Sequence, residues 1–132
     1  MTAMCLALDH RSGYATVAGA GHPPLLVTRY GRGTEAIASA APPLGLMEQS
    51  QFSETTVKLE RGDALILYTD GLLGAAKSDQ SRIAPAQLAG MVNPFASDAN
   101  SLLHGLLKQV GSAESDKALP DDVAAIVVRR QN

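Results

Sequence analysis

Short, mostly apolar segments broken by polar and glycine-rich turns fill the first third of the chain. Met1–Leu8 reads as a strand and Tyr14–Ala20 as a second. Asp9–Gly13 between them is a turn in which Gly13 is free to take a positive φ, so the pair predicts a hairpin. Gly19, Gly21 and the Pro23-Pro24 pair then interrupt regular structure. Leu25–Tyr30 is a third strand and Thr34–Ala38 a fourth, separated by the tight turn Gly31-Arg32-Gly33. Connections this short predict a meander. Ser39–Gln51 carries Pro42, Pro43 and Gly45 and reads as a loop anchored by Leu44 and Leu46. Phe52–Leu59 alternates, with Phe52, Thr55 or Val57, and Leu59 as its apolar positions.

The pattern then changes twice. After the turn Glu60–Asp63, Ala64–Tyr68 is a nearly continuous apolar run, as expected of a central strand buried on both faces. It ends at Thr69-Asp70-Gly71. From there the apolar spacing becomes helical: Ala84–Val92 and Asn100–Val110 bring Leu88, Val92, Leu102, Leu103, Leu106, Leu107 and Val110 to common faces. Ser97 or Asp98 is placed to cap the second helix. Gly111–Lys117 is polar and predicts a loop, and Pro120-Asp121-Asp122 leads into a last buried strand, Val123–Arg129. Strands, then helices, then a strand make an α+β domain.

Composition narrows the function. The 132 residues amount to one domain, long enough to bury a core without staples. A net charge of -2 and no basic block longer than Arg129-Arg130 argue against nucleic-acid binding. No stretch approaches the roughly 18 apolar residues of a membrane span. The apolar start, Met1–Leu8, is short and has no basic leader, so no signal peptide is expected. Cys5 is the single cysteine, which excludes an internal disulfide and a cysteine-rich zinc site and suits a reducing, cytoplasmic setting. It is expected as a small buried residue of the first strand.

Two carboxylates stand apart. Asp70 follows one apolar strand and Asp121 precedes another. Carboxylates at the ends of buried strands are held rigidly at the rim of a core, and two of them on neighbouring strands repel. A hard divalent cation such as Mg²⁺ or Mn²⁺ relieves that repulsion through oxygen ligands. Spacing alone leaves two readings open, a cation site and ordinary turn aspartates beside glycine.

Four segments in order resemble one family. Ala20-Gly21-His22-Pro23-Pro24 is similar to a Gly-His-Pro-Pro element, and Pro43-Leu44-Gly45-Leu46 to a Pro-Leu-Gly loop. Leu59–Leu72 resembles a long strand ending in a metal segment, and Asp121–Val128 a closing element. The family is that of the metal-dependent protein phosphatases (PPM), in its bacterial sporulation stage II E branch. The resemblance implies a β-sandwich flanked by helices. It also implies that Asp70 and Asp121 are ligands of Mn²⁺ or Mg²⁺. Asp122 would be a neighbour that hydrogen-bonds locally. Gly71 and Gly21 would allow close backbone approach or an unusual φ. His22 is open to two readings, a general acid or ligand and a structural hydrogen bond across its turn.

The activity that the resemblance implies is hydrolysis of phosphoserine or phosphothreonine in a partner protein by metal-activated water, the substrate being of the class of an anti-sigma-factor antagonist in partner switching. The resemblance also implies an earlier segment, with a bridging Asp, two long helices and further strands, that nothing in these residues matches; Asp9 and Asp63 lie in turns and are poor substitutes. An acidic residue expected soon after Thr-Asp-Gly-Leu is replaced by Leu73-Gly74-Ala75-Ala76. Hence a second expectation stands beside the enzymatic one. The chain would be a piece of a longer enzyme, or a catalytically incomplete phosphatase fold that serves as an interaction module or a homodimer covering an open apolar face.

Overall fold

The computed structural model describes residues 1–75, 82–110 and 122–131. Ten elements follow one another: β1 (Ala3–Leu8), β2 (Tyr14–Ala20), β3 (Leu25–Arg29), β4 (Gly33–Ile37), β5 (Thr55–Lys58), β6 (Ala64–Tyr68), α1 (Gly71–Ala75), α2 (Pro85–Met91), α3 (Ala99–Gln109) and β7 (Ala125–Arg129). The strands form two sheets. One has the order β1-β2-β5, the other β4-β3-β6-β7, and all their pairs are antiparallel.

Period-two alternation explains the layers. Leu25, Val27 and Leu65 point from the four-stranded sheet toward Ala15, Val17 and Val57 of the other and fill the space between the sheets. The opposite positions, Leu26, Ala64, Ile66 and Tyr68, pack under Leu72, Leu88, Leu102 and Leu106 of the helices. The molecule is therefore three layers: three strands, four strands, helices. β6 is buried on both faces, as its unbroken apolar run requires, and its neighbour β3 is as well.

Several expectations are corrected here. The first four strands are two hairpins in different sheets rather than a meander: β2 pairs with β1 and β5, and β3 with β4 and β6. The chain changes sheet at Gly21–Pro24, because Pro23 and Pro24 have no N–H to continue a ladder. Leu46 does not anchor its loop and is 69% exposed; Ala41 is buried there instead, and Leu44 pairs its backbone with Met1. Phe52 is likewise exposed, since β5 starts only at Thr55. Cys5 is exposed, on the outer side of β1. β7 is an edge strand and only partly buried; Ile126 shares the side of Val128 but extends past the three-stranded sheet and is 60% exposed. The short helix α1 had no periodic signal, being little more than one turn. Asp98 caps α3, its side chain accepting from the Ser101 N–H at 2.8 Å. The polar stretch Gly111–Lys117 lies outside the described residues.

Candidate functional site

Burial of β6 carries Thr69 and Asp70 to one rim of the four-stranded sheet. The ladder with β7 runs from Ala64↔Arg129 to Tyr68↔Ala125, and Thr69 extends it by one step, its N–H donating to the Ala124 carbonyl at 2.9 Å. The Thr69 side chain adds a clasp. Its hydroxyl donates to the Asp122 carbonyl at 2.9 Å and accepts from the Ala124 N–H at 2.9 Å. The chain entering β7 is thus tied directly to the residue before Asp70. A threonine here is a positioning group that sequence reading passed over; its only signal was its place in Thr-Asp-Gly.

Asp70 itself is half-exposed, and Oδ2 accepts from Arg82 Nη1 at 2.8 Å. Gly71 opens α1 and is buried; it is not among the glycines of positive φ, so helical backbone rather than unusual φ is what it supplies. Asp122 is exposed and meets Thr69 through its backbone carbonyl. Asp121 lies outside the described residues.

The Gly-His-Pro-Pro element comes to the same place from the other sheet. Gly21 takes a φ of 61°, and an added Cβ would stand 2.4 Å from Pro43 Cγ. Only glycine fits both the backbone and the contact. The Gly21 N–H donates to the Ala41 carbonyl and Ser39 Oγ to the His22 carbonyl, which stitch the element onto the Pro-Leu-Gly loop. His22 is half-buried. Its Nδ1 stands 2.8 Å from the Pro23 carbonyl, to which it donates. His22, Pro23, Pro24, Thr69, Asp70 and Leu73 line one cavity of about 320 Å³. The structure therefore brings His22 and Asp70, 48 residues apart in the chain, to one hollow.

The chemistry of this hollow suits a hard cation in part. Among the described residues it offers one accessible carboxylate, of the oxygen type that Mg²⁺ and Mn²⁺ prefer. Among the described residues no three His, Cys, Asp or Glu side chains gather at one point.

The relation to known proteins agrees with this layout. The family model for stage II sporulation protein E (SpoIIE) matches residues 1–131. Protein IcfG of Synechocystis sp. is 26% identical over 124 residues, which are 93% of this chain and 19% of that one. The structure of the RsbU and RsbW domains of Rv1364c from Mycobacterium tuberculosis superimposes with a TM-score of 0.71 at 26% identity, covering 98% of this chain and 36% of the other. The phosphatase domain of the cell fate determinant SpoIIE from Bacillus subtilis, presoaked with Mn, gives 0.69 at 19% identity, covering 100% and 57%. The chain thus spans less than two thirds of each of these relatives. The resemblance read from four short segments extends over nearly every residue, and the chain belongs to the SpoIIE family of PPM-type serine/threonine phosphatase domains.

Proposed function

We propose that the chain is the portion of a metal-dependent phosphoprotein phosphatase that carries two of its metal ligands, Asp70 and Asp121. One observation carries the reading: in a chain of this family, an accessible carboxylate at the end of a buried strand faces a hollow shared with His22. Mn²⁺ or Mg²⁺ is the cation, and a B. subtilis relative of the same fold was presoaked with Mn. When bound, such a cation lowers the pKa of a coordinated water and neutralises charge on phosphoryl oxygens. The chain's own part is to hold its ligands still. Thr69 fastens the two ligand-bearing segments to each other, and Gly21 seats His22 against the Pro43 loop.

The substrate is a phosphoserine or phosphothreonine protein, of the class of anti-sigma-factor antagonists in partner-switching regulation. A cytoplasmic setting fits this role, and among the described residues no helix is long and apolar enough to cross a membrane. Titration calorimetry with Mn²⁺ tests the ligands. Wild type is expected to bind, and Asp70→Ala and Asp121→Ala to bind at least tenfold more weakly; equal affinity in all three would sink the assignment. Turnover of p-nitrophenyl phosphate with Mn²⁺ then separates an active domain from a binding-only interaction module.

A further inference from the structure

The end of the sandwich opposite Asp70 is chemically its reverse. Antiparallel pairing puts Arg129 beside Ala64, at the start of β6, and Asp70 lies past the other end of that strand. Six residue steps at roughly 3.3 Å each separate the two rims by about 20 Å. Around the far rim, Arg11, Arg61, Arg129 and Arg130 come together from the β1–β2 turn, the β5–β6 turn and the end of β7. These are four of the chain's 11 Lys and Arg, in a protein whose net charge is -2. Two adjoining hollows of about 420 and 390 Å³ share Arg61, Arg129 and Arg130 as lining.

Two of these guanidinium groups are fixed by uncharged partners. Arg129 Nε donates to the Gly62 carbonyl at 3.1 Å, and its guanidinium lies over the Tyr30 ring, 5.6 Å from the centroid. Arg130 Nη1 donates to the carbonyls of Leu59 at 2.6 Å and Ser12 at 3.1 Å. Gly13, with φ 79°, leaves room for it: an added Cβ would lie 2.0 Å from Nη1. Among the described residues the ion pairs belong to Arg29 and Arg82, and none to these four arginines. Two of the nearby acids are occupied elsewhere. Asp9 is turned into its own turn, accepting from the Arg11 N–H and Ser12 Oγ. Asp63 is paired with Arg29, and Glu60 stands exposed beside Arg61.

Carbonyl oxygens hold the arginines in place at little cost to their charge, and so preorganise them for carboxylates, which arginine grips with two parallel hydrogen bonds. The neighbouring rings favour a protein over a polyanion. Tyr30 and Phe95 are 48% and 66% exposed and stand edge to face at the border of the first hollow. Arginine with exposed aromatics is the composition of protein interfaces. A nucleic-acid surface asks for a broadly basic face, which a chain of pI 5.8 does not have.

We infer that this rim is a docking surface for an acidic segment of a partner protein, remote from the Asp70 hollow. It takes the partner's Asp and Glu side chains, so it stands whether or not Asp70 binds a metal. The test is fluorescence anisotropy with a labelled dodecapeptide rich in Glu and Leu, beside its Glu→Lys counterpart, a labelled oligothymidylate and phosphatidylglycerol vesicles. Wild-type chain is expected to bind the acidic peptide, more weakly as salt rises from about 50 to about 300 mM, and not the lysine version. The double variant Arg11→Glu/Arg61→Glu changes two exposed side chains that make no hydrogen bond among the described residues, so circular dichroism should be unchanged. It is expected to bind at least tenfold more weakly. Lys108→Glu, the same change of sign late in α3, is expected to shift binding less than twofold. The inference is overturned by unchanged affinity in the double variant. Preference for the lysine peptide, the oligonucleotide or the vesicles overturns it as well.

Discussion

Asp63 and Asp70 stand at the two ends of one strand and have opposite fates. Asp63, just before β6, is 1% exposed. It accepts from the backbone N–H groups of Tyr30 and Glu60 and from Arg29 Nη1, at 2.9, 3.0 and 3.0 Å. Arg29 in turn pairs with Glu35 across the β3–β4 hairpin. Three hydrogen bonds occupy most of the roughly four lone-pair sites of the carboxylate and join two turns to the end of β3, and burial keeps a ligand from the rest. Asp70, just after β6, is 52% exposed and meets one guanidinium at the mouth of a cavity. An exposed pair of that kind contributes little to stability. The same residue type within two residues of the same buried strand is a structural bolt at one rim and an available oxygen donor at the other. Satisfaction of hydrogen-bonding capacity, more than proximity to the core, tells them apart.

That contrast breaks most visibly at Asp63. Asp63→Ala strands two backbone N–H groups and a partly buried guanidinium, and is expected to cost about 3 kcal/mol in urea unfolding. Asp70→Ala should cost less than about 0.5 kcal/mol. Equal losses would erase the distinction. Acid unfolding sharpens it. Burial alone would raise the Asp63 pKa, but the N–H groups of Tyr30 and Glu60 and the Arg29 guanidinium outweigh burial and hold the carboxyl below its ordinary 3.8. A depressed native pKa stabilises the fold above the unfolded value and ceases to do so as pH falls through the native one. Stability should therefore drop below about pH 4, and Asp63→Asn should flatten that limb.

A smaller effect is expected at the other rim. Thr69→Val removes the clasp on Asp122 and Ala124 and should cost about 1 kcal/mol. It should also weaken Mn²⁺ binding while Asp70 is intact, which calorimetry reads directly; unchanged affinity would make the clasp merely structural. The smallest effect lies between the rims. The Tyr68 hydroxyl is buried with no partner among the described residues, and burial pushes its pKa up to about 12. Tyr68→Phe removes an unsatisfied group and is expected to leave the thermal midpoint unchanged or raise stability by up to about 1 kcal/mol. A clear loss would reveal a partner for that hydroxyl.

Local pattern reached far in this protein. β2 and β6 fall on their predicted bounds, and β6 is buried on both faces as its unbroken apolar run requires. The two longer helices follow from their 3.6-residue spacing, and Asp70 was picked out from its place after an apolar strand. These are properties of a few neighbouring residues, in which side-chain period and turn chemistry act within the segment. What local pattern could not decide were relations between segments. Two hairpins read alike whether they share a sheet or face each other across a core, and Gly21–Pro24 sends them apart. Leu46 and Cys5 are apolar but lie where no second layer reaches them. Asp63 read as one more turn residue until Tyr30 and Arg29, more than 30 positions away, closed over it. The meeting of His22 with Asp70, and of four scattered arginines at the far rim, arises in the same way. Burial and hydrogen-bond satisfaction depend on which surfaces the fold brings together. The sequence by itself determined the elements and the types of residue at their ends, and only the tertiary structure decided which of those ends were filled and which were left open to bind.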